Sequence, residues 1–276
     1  MSSARAKPYY DSVRSQWKAM DELVQVIRYR DLLWQLVRRD VLTRYKRSVL
    51  GVVWTMLNPL GMMIVLSVAF SQLFSATRAY PAYVLSGIVA WTFFAQTTTS
   101  SMIQMVWGSA LLNRIYLPRS IFVTSAIGTG LVNLGLSLIP LALVMVATGV
   151  PLRATILFLP VSVALLTMFS LGVALLLSTL AVYFPDVAEM YQIGLTAWMY
   201  LTPIIYPEEI LPQAARPWIL GLNPMYHLIS MFRLPLYGGS LPNLGEFALA
   251  AGVAALALLI GWFAFTEKMD EFAYRA

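Results

Sequence analysis

The sequence predicts an all-α integral membrane protein with six transmembrane helices, and three observations predict it. The 276-residue chain is 59% hydrophobic and only 12% charged, against about 25% charged in a soluble domain. Its charges are spaced so that charge-free runs cover 48–77, 79–113, 120–152, 154–185, 190–207 and 247–266. Each run is long enough for a spanning helix of about 20 residues, the fifth barely so. Six spans put both termini on one side. Of the 19 Lys and Arg, only Arg78, Arg153, Arg216 and Arg233 fall on the other. Positive charge stays on the cytoplasmic side, so both termini are expected there.

The arm, residues 1–50, comes first. Its start, "MSSARAKPYYDSVRSQWKAMDE", has no apolar stretch and is not expected to be a cleavable signal. Beyond it Leu23, Val26, Ile27, Leu33, Leu36, Val37 and Val41 recur at steps of three and four, with Arg28, Arg30, Arg38, Arg39, Arg44, Lys46 and Arg47 on most of the other face. That pattern predicts a basic amphipathic helix lying in the headgroup layer. It serves as an anchor, or as an anchor that also touches a cytoplasmic partner.

The transmembrane domain, 51–276, is expected to hold spans near 52–74, 83–107, 121–148, 155–182, 188–206 and 246–266. Asn58-Pro59 in the first span frees a backbone carbonyl and permits a kink, for a pathway or for packing. Between the second and third spans "LLNRIYLPRSIF" (111–122) is a longer polar interruption than a turn requires, and suits a short docking helix. The aromatics, hydroxyls and amides of "WTFFAQTTTSS" and "AWMYLTPIIY" make Trp91, Phe94, Gln96, Trp198 and Tyr200 candidate channel-lining residues. Interfacial belts and helix packing are the other account of such residues. The proline-rich stretch 207–235 has no span of its own. It is expected to form short re-entrant helices facing outward, as a gate or a folded external loop.

Several chemistries are not encoded. There is no cysteine, which excludes disulfides and thiolate sites. The span interiors carry no Asp, Glu, Lys or Arg, so no coupling proton has a buried carrier. Energy for uphill transport is expected from outside the chain. His227, the single histidine, reads as structural, and Asp186 and Glu189 sit at a turn. No metal-binding or nucleophile motif is present, so neither catalytic nor metal-ligating residues are assigned, and no nucleic-acid partner is expected.

The chain resembles the membrane subunit of type-2 ABC exporters of polysaccharide and polyol phosphate, which move O-antigen, capsule or teichoic-acid chains. The resemblance covers nearly the whole chain. It rests on "RDLLWQLVRRDVLTRYKRSVLGVVWTMLNPL" (30–60), on "NRIYLPRSIF", and on "YPEEI" followed by "LNPMYHLI". It implies a homodimer in the bacterial inner membrane, paired with two copies of a cytoplasmic P-loop ATPase that bind ATP and Mg; this chain holds no cofactor. It implies a coupling helix over 109–120, in which Asn113, Arg114, Ile115, Tyr116, Leu117, Pro118 and Arg119 meet the ATPase. It implies a channel at the dimer axis, entered by a lipid-linked glycan near Arg38, Arg39, Arg44, Lys46 and Arg47. The outer gate, 207–235, would be worked by Tyr206, Pro207, Asn223, Pro224 and Tyr226. A drug or lipid exporter of the same class is the alternative, and an intramembrane lipid- or sugar-modifying enzyme a more distant one.

Overall fold

A computed structural model describes residues 18–46, 51, 53–75, 77, 79–107, 118–214 and 216–269. Among them every regular element is a helix: α1 Lys18–Arg28, α2 Arg30–Tyr45, α3 Val53–Phe70, α4 Tyr80–Trp107, α5 Ser120–Ala147, α6 Leu159–Tyr183, α7 Val187–Leu201, α8 Arg216–Gly221, α9 Pro224–Arg233 and α10 Leu244–Lys268. Short 3₁₀ turns at Ala154–Phe158 and Glu208–Ile210 punctuate the chain.

The arm is two helices rather than one. Tyr29 leaves the helical region at φ −93°, ψ 22° and separates α1 from α2. The apolar stripe also divides. Leu36 and Val37 are buried, with Leu36 against Ile121 and Phe122 of α5, whereas Leu23, Ile27, Trp34 and Leu42 stay exposed. The Val37 side chain sits 2.7 Å from where a Cβ on Gly128 would lie. One side of α2 is therefore pressed onto the bundle. The exposed side is mixed, with Trp34 and Leu42 among Asp31, Gln35, Arg38 and Arg39.

Among the described residues, four segments are long and apolar enough to cross a membrane: Val53–Phe70, Ser120–Ala147, Ala154–Tyr183 and Leu244–Lys268. α4 has the length, 28 residues, but "QTTTSS" at 96–101 dilutes its apolar character. α7 has 15 residues, about 22 Å at 1.5 Å per residue, short of the roughly 30 Å hydrocarbon core. The expected span 188–206 thus stops at Leu201. Thr202 is extended (φ −99°, ψ 131°), as the residue before Pro203 must be, and the chain turns back through 202–206.

The core centres on α4, packed between α3, α5 and α6. The re-entrant helix α9 lies inside this assembly. Its Met225, Leu228, Ile229, Met231 and Phe232 are all buried between α4, α6 and α10. The Ser162 hydroxyl of α6 donates to the Met231 carbonyl at 2.6 Å, and Thr155 donates to the Pro235 carbonyl at 2.8 Å.

α6 and α10 cross with almost no side chain between them. A Cβ on Gly261 would lie 1.9 Å from the Gly172 carbonyl oxygen, and one on Gly172 would lie 2.3 Å from the Ala257 oxygen. Small residues let the backbones approach this closely, and in lipid such packing is what holds helices together. Gly261→Leu is therefore expected to force the crossing apart, costing about 1–3 kcal/mol as overpacking does. Gly252→Leu, where a Cβ would meet nothing within 4 Å, serves as the control. Thermal unfolding of the detergent-solubilised variants, followed by loss of the monodisperse peak, checks this; equal melting of the two would refute it.

Candidate functional site

The end of the bundle opposite the arm is built around the reversal at 202–206. Asn223, extended and 7% exposed, caps α9 and joins it to α7. Its Oδ1 accepts the Met225 N–H at 3.1 Å and the Trp198 indole N–H at 2.9 Å. Its Nδ2 donates to the Thr202 hydroxyl at 2.8 Å. Asn is a favoured N-cap, and Pro224 at the next position fits because its missing N–H has no helical partner there.

Arg233, at the other end of α9, completes the junction. Its guanidinium donates to the Pro203 carbonyl at 3.0 Å and reaches the Ile204 carbonyl and the Ser86 hydroxyl, both at 3.4 Å. Its Cζ lies 3.8 Å above the Tyr83 ring. One cation thus ties α4, the reversal and α9 together. Tyr80 and Tyr83 of α4 donate to the Ile205 and Pro203 carbonyls at 2.8 and 3.2 Å. A Cβ on Gly87 would lie 2.4 Å from the guanidinium, so this position of α4 has no room for a side chain.

A cavity of ≈ 760 Å³ opens beside this junction, lined by Tyr83, Pro207, Glu208, Tyr226, Arg233 and Tyr237, among others. The Tyr226 hydroxyl donates to Glu208. Burial pushes its pKa above the usual phenol value and the Glu208 carboxylate adds to the rise, so the phenol keeps its proton and the bond. The Tyr206 hydroxyl donates to the Tyr200 carbonyl at 2.8 Å. Of the candidate gate residues, Pro207 and Tyr226 line this cavity, Asn223 and Pro224 form the cap of α9, and Tyr206 folds back onto Tyr200.

The arm end has its own joint. Glu22 of α1, 2% exposed, accepts from the Ser120 hydroxyl at 2.6 Å and its N–H at 3.2 Å. A carboxylate at a helix N-terminus satisfies an otherwise unpaired N–H and complements the dipole. Arg119 donates to the Met269 carbonyl at 2.8 Å, and the Trp262 indole donates to the Ala19 carbonyl at 3.2 Å. The first turn of α5 is thereby fastened to α1 and α10. Neither Glu22 nor Ser120 carries a sequence signal for this, because nothing local links positions 98 residues apart.

The remaining candidates are dispersed. Pro118 is buried and Arg119 half-buried, while Asn113, Arg114, Ile115, Tyr116 and Leu117 lie outside the described residues. Arg38, Arg39 and Lys46 are exposed on the arm. The side chain of Arg44 and all of Arg47 lie outside the described residues. Trp91 and Phe94 are core residues, 6% and 0% exposed, with rings stacked edge-on to Trp198 at 6.0 and 5.4 Å. Within a single chain these rings fill space rather than face a lumen, since three large aromatic surfaces are most stable packed on one another. Gln96 instead faces a cavity between α3, α4 and α5, and Tyr200 is 58% exposed.

Residues 31–237 match the family described as ABC-2 type transporter. The chain is 31% identical over 90% of its length to the O-antigen export system permease protein RfbA of Myxococcus xanthus, covering 96% of that protein. It is 25% identical to a Klebsiella pneumoniae RfbA over 76% of this chain and 82% of the relative. It is 24% identical to the polysialic acid transport protein KpsM of Escherichia coli, over 81% and 90%.

Two substitutions test the Arg233 joint. Arg233→Lys removes the planar fork that reaches several acceptors at once, and Gly87→Ala displaces the guanidinium. Each is expected to lower stability by about 1–3 kcal/mol, the range for leaving buried polar partners unpaired. The check is the melting temperature in detergent; an unchanged value for both variants would show that the joint carries no stability.

Proposed function

The chain belongs to the ABC-2 type transporter family, and on that footing we propose that it is the channel-forming permease subunit of an exporter of lipid-linked polysaccharide, driven by ATP hydrolysed on a separate subunit. The observation that carries this reading is the likeness to an O-antigen permease along 90% of the chain. The bundle supports it through its two fastened ends, one beside the expected coupling segment and one beside the expected gate.

In this reading both termini are cytoplasmic and the ATPase docks on 109–120. A displacement there passes along the chain into α5, into α1 through the Glu22–Ser120 contact and into α10 through Arg119 and Met269. Two copies form the channel. The apolar faces of α3, with Val65 64% and Val68 79% exposed, and of α7, with Met190 69% and Ile193 74% exposed, are the surfaces offered to lipid and to the second copy. The glycan enters near Arg38 and Arg39, where the exposed Arg38 guanidinium suits an anionic lipid headgroup. It leaves past 207–235, where opening breaks the Tyr226–Glu208 contact.

The test is a pull-down of tagged protein from native membranes, with and without Arg114→Glu and Arg119→Glu, joined to an assay of polymer at the cell surface. A P-loop ATPase is expected with the native chain, and both ATPase and surface polymer are expected to be lost from the double variant. An ATPase retained by the variant would move the docking site to the arm. An ATPase present without any effect of deletion on surface glycan would turn the substrate to a drug or lipid.

A further inference from the structure

At the arm end, α2, α3, α4 and α5 border two adjoining cavities of ≈ 310 Å³ each, which meet at Gln96, Gly130 and Asn133. Each lies at the lower edge of the about 300–1,000 Å³ range of small-ligand pockets. The walls mix amides and hydroxyls with apolar side chains. Asn58 and Gln96 present amides, and Thr92 and Ser100 hydroxyls, and none of these side chains has a hydrogen bond among the described residues. The Thr129 hydroxyl, on a residue 7% exposed, is also without a partner.

Buried hydroxyls elsewhere in the chain divide: Ser67, Thr167, Ser170 and Ser178 also have no hydrogen bond. Thr98, Ser101 and Ser137 turn back onto carbonyls of their own helices at 2.7–2.9 Å. An unpaired buried polar group costs about 1–3 kcal/mol, and within a bilayer no bulk water relieves it. In the groove that cost falls on Thr129 alone, while the exposed Asn58 and the half-exposed Thr92, Gln96 and Ser100 line the cavity with polar atoms for a ligand that can pair with them. Hydrocarbon cannot. An anion is a poor match as well, because the Arg39 guanidinium at the mouth is already held by Asp40 at 2.9 Å, and Asp40 also accepts from Gln104 at 3.2 Å. The same groove is lined by Phe93 and by the ring of Trp54, a residue 55% exposed. Amides and hydroxyls beside aromatic faces match a pyranose ring, with O–H groups at its rim and C–H groups on its faces.

We propose that this groove is a sugar-binding subsite within each chain, holding one or two hexose units of the glycan beside α3 and α4. The proposal rests on the reading of the chain as a polysaccharide permease. It adds a place where the sugars are held before they reach the channel between copies.

The probe is dodecyl maltoside carrying a diazirine next to the sugar, applied to the full chain with its co-purifying subunits in phospholipid nanodiscs. Labelled peptides are mapped by mass spectrometry. Label is expected on peptides covering 53–59 and 92–100, removed by excess dodecyl maltoside but not by dodecyl phosphate or a dodecyl polyoxyethylene ether. Asn58→Leu with Gln96→Leu is expected to lower it about tenfold, a loss of the size of one or two net hydrogen bonds. Thr92→Val, nearly isosteric, is expected to lower it less, with no drop in melting temperature. Equal competition by the ether or the phosphate, or label that survives the substitutions, would overturn the proposal. Separate scoring of ATPase co-purification distinguishes the two failures. ATPase without groove label sinks the subsite and leaves the function standing. Groove label without ATPase sinks the function and leaves the subsite standing.

Discussion

A membrane-embedded polar group must find its partner inside the protein, and this bundle concentrates that demand at few points. Arg233 is the strictest case. Its guanidinium takes its acceptors from a chain reversal and a facing helix, so the reversal, α4 and α9 hold their positions relative to one another only while those contacts persist. Asn223 repeats the logic at the other end of α9, where one amide satisfies a helix N-terminus, an indole and a hydroxyl. The short helices of the expected gate are thus fixed by hydrogen bonds at both ends and by apolar burial along one face between them.

The opposite end is organised by the same rule with the charges inverted. There a carboxylate, Glu22, is buried at the N-terminus of α5. A cation held by carbonyls at one end and an anion held by a helix N-terminus at the other need no mutual ion pair. Both are solvated by backbone dipoles. The arm is consequently part of the bundle, and a push on the segment ahead of Ser120 has a rigid path into it.

Helix type and order were legible from the charge-free runs, because a residue that must face lipid cannot carry a charge. Where that rule weakens, so did the reading. α7 sits in an uncharged run long enough to span, yet it stops at Leu201 because Thr202 and Pro203 set the backbone extended. The apolar stripe of the arm was read as facing lipid, whereas Leu36 and Val37 of α2 are buried against α5. Trp91 and Phe94 read as lining candidates from composition, but composition does not say which way a ring points, and they pack on Trp198. Arg233 was countable as a cation between the last two expected spans, and short helices within 207–235 were legible. The carbonyls that receive Arg233, like the pairing of Glu22 with Ser120, depend on contacts between distant positions that no local pattern encodes.

The glycine crossing of α6 with α10 also constrains how the protein is made. Helices enter the bilayer in chain order, so α6 is inserted before its principal partner exists. Until α10 leaves the ribosome, the Gly172 face of α6 has only lipid to meet. The arm waits as well, since the Ala19 carbonyl accepts from the Trp262 indole N–H, 243 residues later. Among the described helices, α1 and α10 therefore close the bundle together once α10 has been made. A chain truncated before α10 therefore leaves two prepared surfaces unfilled, a defect that membrane quality control can read without sampling the transport cycle at all.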